Sequence, residues 1–132
     1  EPGGAPVPVP VPDAAPIPVD GFRVLIVFQD TQLASLPPEQ SQIRTAKAIR
    51  DYFRVKCAKE ADGGPAARIW DVDVMVEDDL PLWQAAFKRP RTQLPWIVIS
   101  TGKTGFEGPL PATKDEIRAL LNTYVEKANE GK

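Results

Sequence analysis

The chain has 132 residues, with 16 Lys+Arg against 18 Asp+Glu and 42% hydrophobic residues. That is enough apolar material for one core and too little chain for two ordinary domains. There is no histidine and one cysteine, which excludes a Ser-His-Asp or Cys-His nucleophilic site, a His/Cys zinc site and a dithiol couple made within this chain. A net charge of −2 without a basic block argues against nucleic acid as a partner, and the apolar runs are too short for direct membrane insertion.

Of the 15 prolines, Pro2, Pro6, Pro8, Pro10, Pro12, Pro16 and Pro18 fall in the first twenty residues. The Val-Pro alternation from Val7 to Pro12 removes every second backbone N–H and fixes φ near the polyproline II value, so neither a helix nor a central strand can form there. Residues 1–20 are expected to be an extended arm and residues 21–132 the folded domain. The arm is either a spacer or a docking strand whose Val7, Val9, Val11 and Ile17 side chains fill pockets on a partner.

After Asp20-Gly21, the run Phe22 to Phe28 is β-branched and almost wholly apolar, the pattern of a central strand covered on both faces. Gln29 to Leu36 reads as a polar loop. Pro37-Pro38-Glu39 opens a helix, since proline is tolerated in the first turn. Ile43, Ala46, Ile49 or Arg50, Phe53 and Cys57 give it one apolar face, and Asp62-Gly63-Gly64-Pro65 stops it.

Ala67 to Val76 predicts a second strand, with Trp70, Val72, Val74 and Val76 on one side of a period-two pattern. Strand, helix and strand suggest a parallel βαβ unit. Asp78 or Asp79, with Pro81 behind it, starts a shorter helix striped with Leu82, Trp83, Ala86 and Phe87, which Arg89-Pro90 ends. Leu94-Pro95 precedes a third strand, Trp96 to Ser100. Gly102-Lys103 is a two-residue turn into a fourth strand around Thr104 to Glu107. Thr113-x-x-Glu116 has capping-box spacing, and Ile117, Leu120, Leu121, Tyr124 and Ala128 share one face of a last helix.

The order β-α-β-α-β-β-α, with Asp71-Val72-Asp73 ending a strand before a helix, Leu94-Pro95 before Trp96-Ile97-Val98-Ile99, a Gly turn and a capped last helix, resembles the thioredoxin-like fold over residues 22–128. The resemblance implies an α/β three-layer sandwich, here with an extended Pro-rich N-terminal arm, and a cis peptide bond before Pro95. It also implies that the Pro95 loop and the start of the first helix receive extended peptides. Leu33, Ser35, Leu36, Pro37, Leu94, Pro95 and Trp96 are then the candidate groove, with backbone groups beside Pro95 available for pairing.

A redox member of that family carries cysteine where the first strand's loop enters the helix, because the helix N-terminus stabilises a thiolate. Here that stretch is Thr31 to Pro38, without sulfur. Ser35 has no evident base and is expected to cap the helix instead of acting as a nucleophile. Cys57, near a helix C-terminus where the dipole disfavours a thiolate, is expected to be buried and structural, the alternative being an exposed thiol beside Arg54, Lys56 and Lys59.

Asp71, Asp73, Glu77, Asp78 and Asp79 do not match a calcium loop and read as caps and solvated charge. Gly102-Lys103-Thr104 lacks the earlier glycine of a phosphate loop. Lys88-Arg89-Pro90-Arg91 is a basic cluster at a helix end. No metal or cofactor is expected. The function expected is a non-catalytic binding or assembly module with a protein partner, tethered or docked by its arm in a secreted, envelope or virion assembly. The alternatives are a thioredoxin-fold enzyme using Cys57 as a displaced thiol, and a regulator binding a small ligand in the same groove.

Overall fold

A computed structural model describes residues 15–19, 21–43 and 45–130. Val7, Val9 and Val11 lie outside the described residues. The chain is mixed α/β: β1 (Arg23–Phe28), a 3-10 helix (Asp30–Ser35), α1 (Pro38–Gln42), α2 (Lys47–Lys56), β2 (Ala67–Asp71), α3 (Pro81–Phe87), β3 (Trp96–Ser100), β4 (Gly105–Pro109) and α4 (Lys114–Glu130). The strands form one four-stranded sheet in the order β2-β1-β3-β4. β1 runs parallel to β2 and antiparallel to β3, and β3 is antiparallel to β4.

All six residues of β1 are buried, which accounts for its apolar run from Val24 to Phe28. Strand alternation divides the sheet into two faces. One carries Val24, Ile26, Ile69 and Phe106, and there Phe106 meets Tyr124 of α4 with ring centroids 6.3 Å apart. Tyr52 of α2 donates a hydrogen bond to Asn122 of α4, so both helices cover this face. The other face carries Val27, Arg68, Trp70, Trp96 and Ser100. Here Trp70 packs edge-on against Phe87 of α3 at 5.6 Å.

Several boundaries differ from the sequence reading. The helix expected from Pro37 is broken: Ala46 takes an extended ψ of 124°, and α2 restarts after it. The short α1 is anchored elsewhere, because the Gln40 amide donates to the Leu110 and Pro111 carbonyls and Glu39 accepts the Lys114 N–H. The 29–36 stretch contains a 3-10 helix instead of a loop. β2 stops at Asp71, five residues short of Val76, because the Asp71 carboxylate accepts the N–H groups of Asp30 at 2.6 Å and Asp73 at 2.8 Å and turns the chain out of the sheet. β4 begins at Gly105.

The turn and the last helix follow their local chemistry. Thr101 N–H donates to the Thr104 carbonyl at 2.9 Å across Gly102-Lys103, with Gly102 at φ +92°, where a side chain would be strained. The Thr113 hydroxyl accepts the Glu116 N–H at 3.2 Å and donates to its carboxylate at 3.0 Å, capping α4. The Leu94–Pro95 bond is cis.

The boundary between arm and domain falls before Ile17. Ile17 is 1% exposed and belongs to the domain's own core, so its side chain is not available to a partner. Ser100, fully buried on β3, accepts the Ile17 N–H at 3.2 Å and donates to its carbonyl at 2.7 Å. This two-point clamp satisfies both backbone groups of a residue that has no strand neighbour. Ile17→Ala is expected to lower unfolding free energy by about 2–5 kcal/mol, measured by urea denaturation of the full chain; a change below about 0.5 kcal/mol would show that the segment is not part of the core.

Candidate functional site

Three of the seven groove residues, Leu36, Leu94 and Pro95, come together. They line a cleft of about 430 Å³, together with Gln29 and Gln32 on one wall and Arg91, Thr92 and Gln93 on the other. The cleft lies beyond the C-terminal end of β1 and the N-terminal end of β3, which are adjacent because the two strands are antiparallel. Gln29 follows β1 directly, and the 3-10 helix carries Gln32.

The other four candidates are placed differently. Trp96 is 9% exposed and does not line the cleft; it sits on the α3 face of the sheet, and its indole N–H is buried without a partner among the described residues. Ser35 is exposed, and its hydroxyl donates to the Gln32 carbonyl at 2.8 Å instead of capping α1. Pro37 is the α1 N-cap, with no side-chain cap bond, and its carbonyl accepts the Gln40 and Ser41 N–H groups. The backbone of Leu33 lies in the 3-10 helix, and its side chain is outside the described residues. The backbone pairing expected beside Pro95 is restricted too, since the Pro95 carbonyl already accepts the Leu110 N–H at 3.1 Å.

Arg91 is the one charged residue in the cleft lining. Its guanidinium stacks 4.9 Å over the Phe87 ring and donates to the Phe87 carbonyl at 2.7 Å. Burial lowers its pKa from the usual guanidinium value, and an arginine stays a cation in proteins. The sequence marks Arg91 as part of a basic cluster at a helix end, with a phosphate or acidic-partner contact as the alternative reading. Its neighbour Arg89 is taken up structurally by a two-pronged bond to Glu107, both arms 2.7 Å. The hydrogen-bonding side chains of Gln29, Gln32, Thr92 and Gln93 had no signal beyond being polar loop residues.

Cys57 is the C-cap residue of α2, 5% exposed. Burial pushes its thiol up to about 12, against smaller opposing effects from Lys59 and Arg23. Its neighbour Ala58 donates to the Phe22 carbonyl, which places the thiol near the start of β1. The cleft lies past the other end of that strand, about 20 Å away at the usual strand rise. A thiol with this pKa holds almost no thiolate near neutrality. Native Cys57 is expected to react with an aromatic disulfide reagent at pH 7–8 more than about 100-fold slower than free cysteine, and at the free rate in denaturant; fast native labelling would reverse this account.

Asp71, Asp79 and Glu60 are used within the fold, whereas Asp73, Glu77 and Asp78 are exposed. Arg68 donates to Glu60 at 2.9 Å and to both Asp79 oxygens at 2.9 and 3.1 Å, while Glu60 also accepts the Trp83 indole N–H at 2.6 Å. The Arg68 guanidinium stacks 4.8 Å over the Trp83 ring. This network joins β2, the loop before it and the start of α3. The sequence carried no sign of it, because its members span residues 60–83 without a period. Among the described residues no group of three or more acidic or thiol side chains is placed to hold a metal ion.

No family model, curated protein or solved structure matches the chain.

The Arg68 hydrogen bond holds the Asp79 carboxyl below the usual carboxylate range, against burial. A depressed native pKa gives stabilisation that is complete above the unfolded value of about 3.9 and lost as pH falls through the native value. Asp79→Asn is therefore expected to lower the urea midpoint at pH 7 and to shrink the further loss seen on acidifying to about pH 3. An acid limb identical to that of the unmodified chain would contradict the pairing.

Proposed function

We propose that the protein is a non-catalytic binding or assembly module of thioredoxin-like architecture. Its cleft takes an extended segment of a protein partner, and its Pro-rich arm tethers or docks it. The observation that carries this reading is the cleft: apolar Leu36, Leu94 and Pro95 beside amide side chains, the Thr92 hydroxyl and one cation, with no thiol or carboxylate among its lining residues. Apolar pockets flanked by a few polar groups suit recognition of an extended chain, and Arg91 favours a segment that bears a carboxylate.

The architecture is supported by the strand order β2-β1-β3-β4, the mixed strand directions and Pro95 at the entrance to β3. A displaced-thiol enzyme has the burial of Cys57 and its distance from the cleft against it. A small-ligand regulator would use the same cleft, whose volume falls within the range of small-molecule sites.

The test is binding of acidic extended peptides to the full chain, measured by calorimetry, beside Leu36→Asp and Arg91→Ala. Leu36→Asp is expected to weaken binding at least about tenfold, since it places a charge where apolar surface is buried, and Arg91→Ala, which leaves the packing of Leu36 against the core intact, is expected to weaken it too. Peptide binding indifferent to Leu36 and Arg91 would remove the cleft from the proposal. Leu36-dependent binding of small molecules alone would replace it with the regulator.

A further inference from the structure

β2 is a sheet edge, pairing with β1 alone among the described strands. The Ala66 carbonyl accepts the Val24 N–H at 3.2 Å, and the Val72 N–H donates to Phe28 at 2.7 Å. Alternation along a parallel ladder therefore turns the polar groups of Ala66, Arg68, Trp70 and Val72 toward β1, and the Ala67 carbonyl and both backbone groups of Ile69 outward. Beside this edge lies a hollow of about 330 Å³ lined by Arg50, Phe53, Arg54, Pro65, Ala67 and Ile69. Arg54 shares the Asp51 carboxylate with Lys47, and Arg50 has no carboxylate partner among the described residues.

The arm has matching chemistry. In an extended strand, residues two apart turn their polar groups the same way. In Val7-Pro8-Val9-Pro10-Val11-Pro12 one side then presents the N–H and C=O groups of three valines, and the other presents prolines with no N–H. Such a strand can pair on one side and cannot be extended on the other, which is what an outermost strand requires. Residues 1–22 carry Glu1, Asp13 and Asp20 and no Lys or Arg, opposite in sign to Arg50 and Arg54.

The arm leaves the domain at Pro16 and Ile17, on the α3 face beside Ser100 and Gly105, at the β3–β4 side of the sheet. Its own β2 edge lies on the far side of β1, beyond the face on which α3 packs against Trp70; a second copy presents the same edge, paired with β1 alone among the described strands.

We propose that Val7–Pro12 of one copy adds as an outermost strand to β2 of a second copy, with Val9 opposite Ile69, valine side chains over Phe53 and Ile69, and the arm's acidic residues toward Arg50 and Arg54. Reciprocal exchange gives two such contacts in a two-fold dimer. This rests on the arm being a docking element and names what it docks to.

The test is sedentation of the full chain by analytical ultracentrifugation over a concentration series, with amide exchange at Ile69. The full chain is expected to dimerise. Val9→Pro, which removes one N–H from each of the two exchanged arms but keeps them extended, is expected to weaken dimerisation by about tenfold or more, and Val9→Ala, which keeps the N–H, less. Arg50→Glu with Arg54→Glu is expected to weaken it as well. A chain that stays monomeric, or dimerises indifferently to Val9→Pro, overturns the proposal. So does a monomer whose Ile69 amide loses protection in Val9→Pro, because the arm then covers its own edge. In each of these cases Leu36-dependent peptide binding still stands or falls separately, so the cleft reading is judged on its own.

Discussion

Burial of β1 on both faces and along both edges is the constraint on which the rest of the structure depends. Five consecutive residues, Val24 to Phe28, with no solvent contact require a sheet neighbour on each side and a layer above and below. β2 and β3 supply the neighbours. α2 and α4 supply one layer; α3 and the segment at Ile17 supply the other. Ile17 is therefore part of the covering layer, although by composition it belongs to the Pro-rich arm.

The same constraint decides where a ligand can be received. The helical layers leave the ends and outer strands of the sheet uncovered. At the end where β1 runs out and β3 enters, the 3-10 helix and the Arg91–Pro95 loop stand apart and leave the cleft. At the β2 edge, α2 lies along one side and leaves the smaller hollow beside Ile69. Cys57 lines neither opening, since it is closed within the core at the start of β1. The two openings differ in character: the cleft offers side-chain amides and one guanidinium, whereas the edge offers backbone groups flanked by two guanidinium groups.

Polar groups in the interior hold the covering layers in register. Ser100 fixes Ile17, Gln40 fixes the loop before α4, and Arg68 with Glu60 and Asp79 fixes α3 beneath Trp83. Each joins residues from separate elements, and each satisfies a group that would otherwise be buried unpaired.

The sequence by itself determined the elements whose signals are local. A continuous β-branched run marked β1, the Thr113–Glu116 spacing marked the α4 cap, Gly102 marked the hairpin, and helical spacing put Ile117 and Leu121 on one face. Leu36, Leu94 and Pro95 were legible as groove residues because the family resemblance supplied their proximity. What only the tertiary structure decided depended on partners distant in the chain. Asp71 ends β2 by bonding Asp30, Gln40 turns α1 toward Leu110, Trp96 is drawn into the sheet instead of the cleft, and Ile17 is claimed by Ser100. Periodicity reports which face a residue takes; it does not report which distant group will pair with it, and at Asp71, Gln40 and Ile17 that pairing set the outcome.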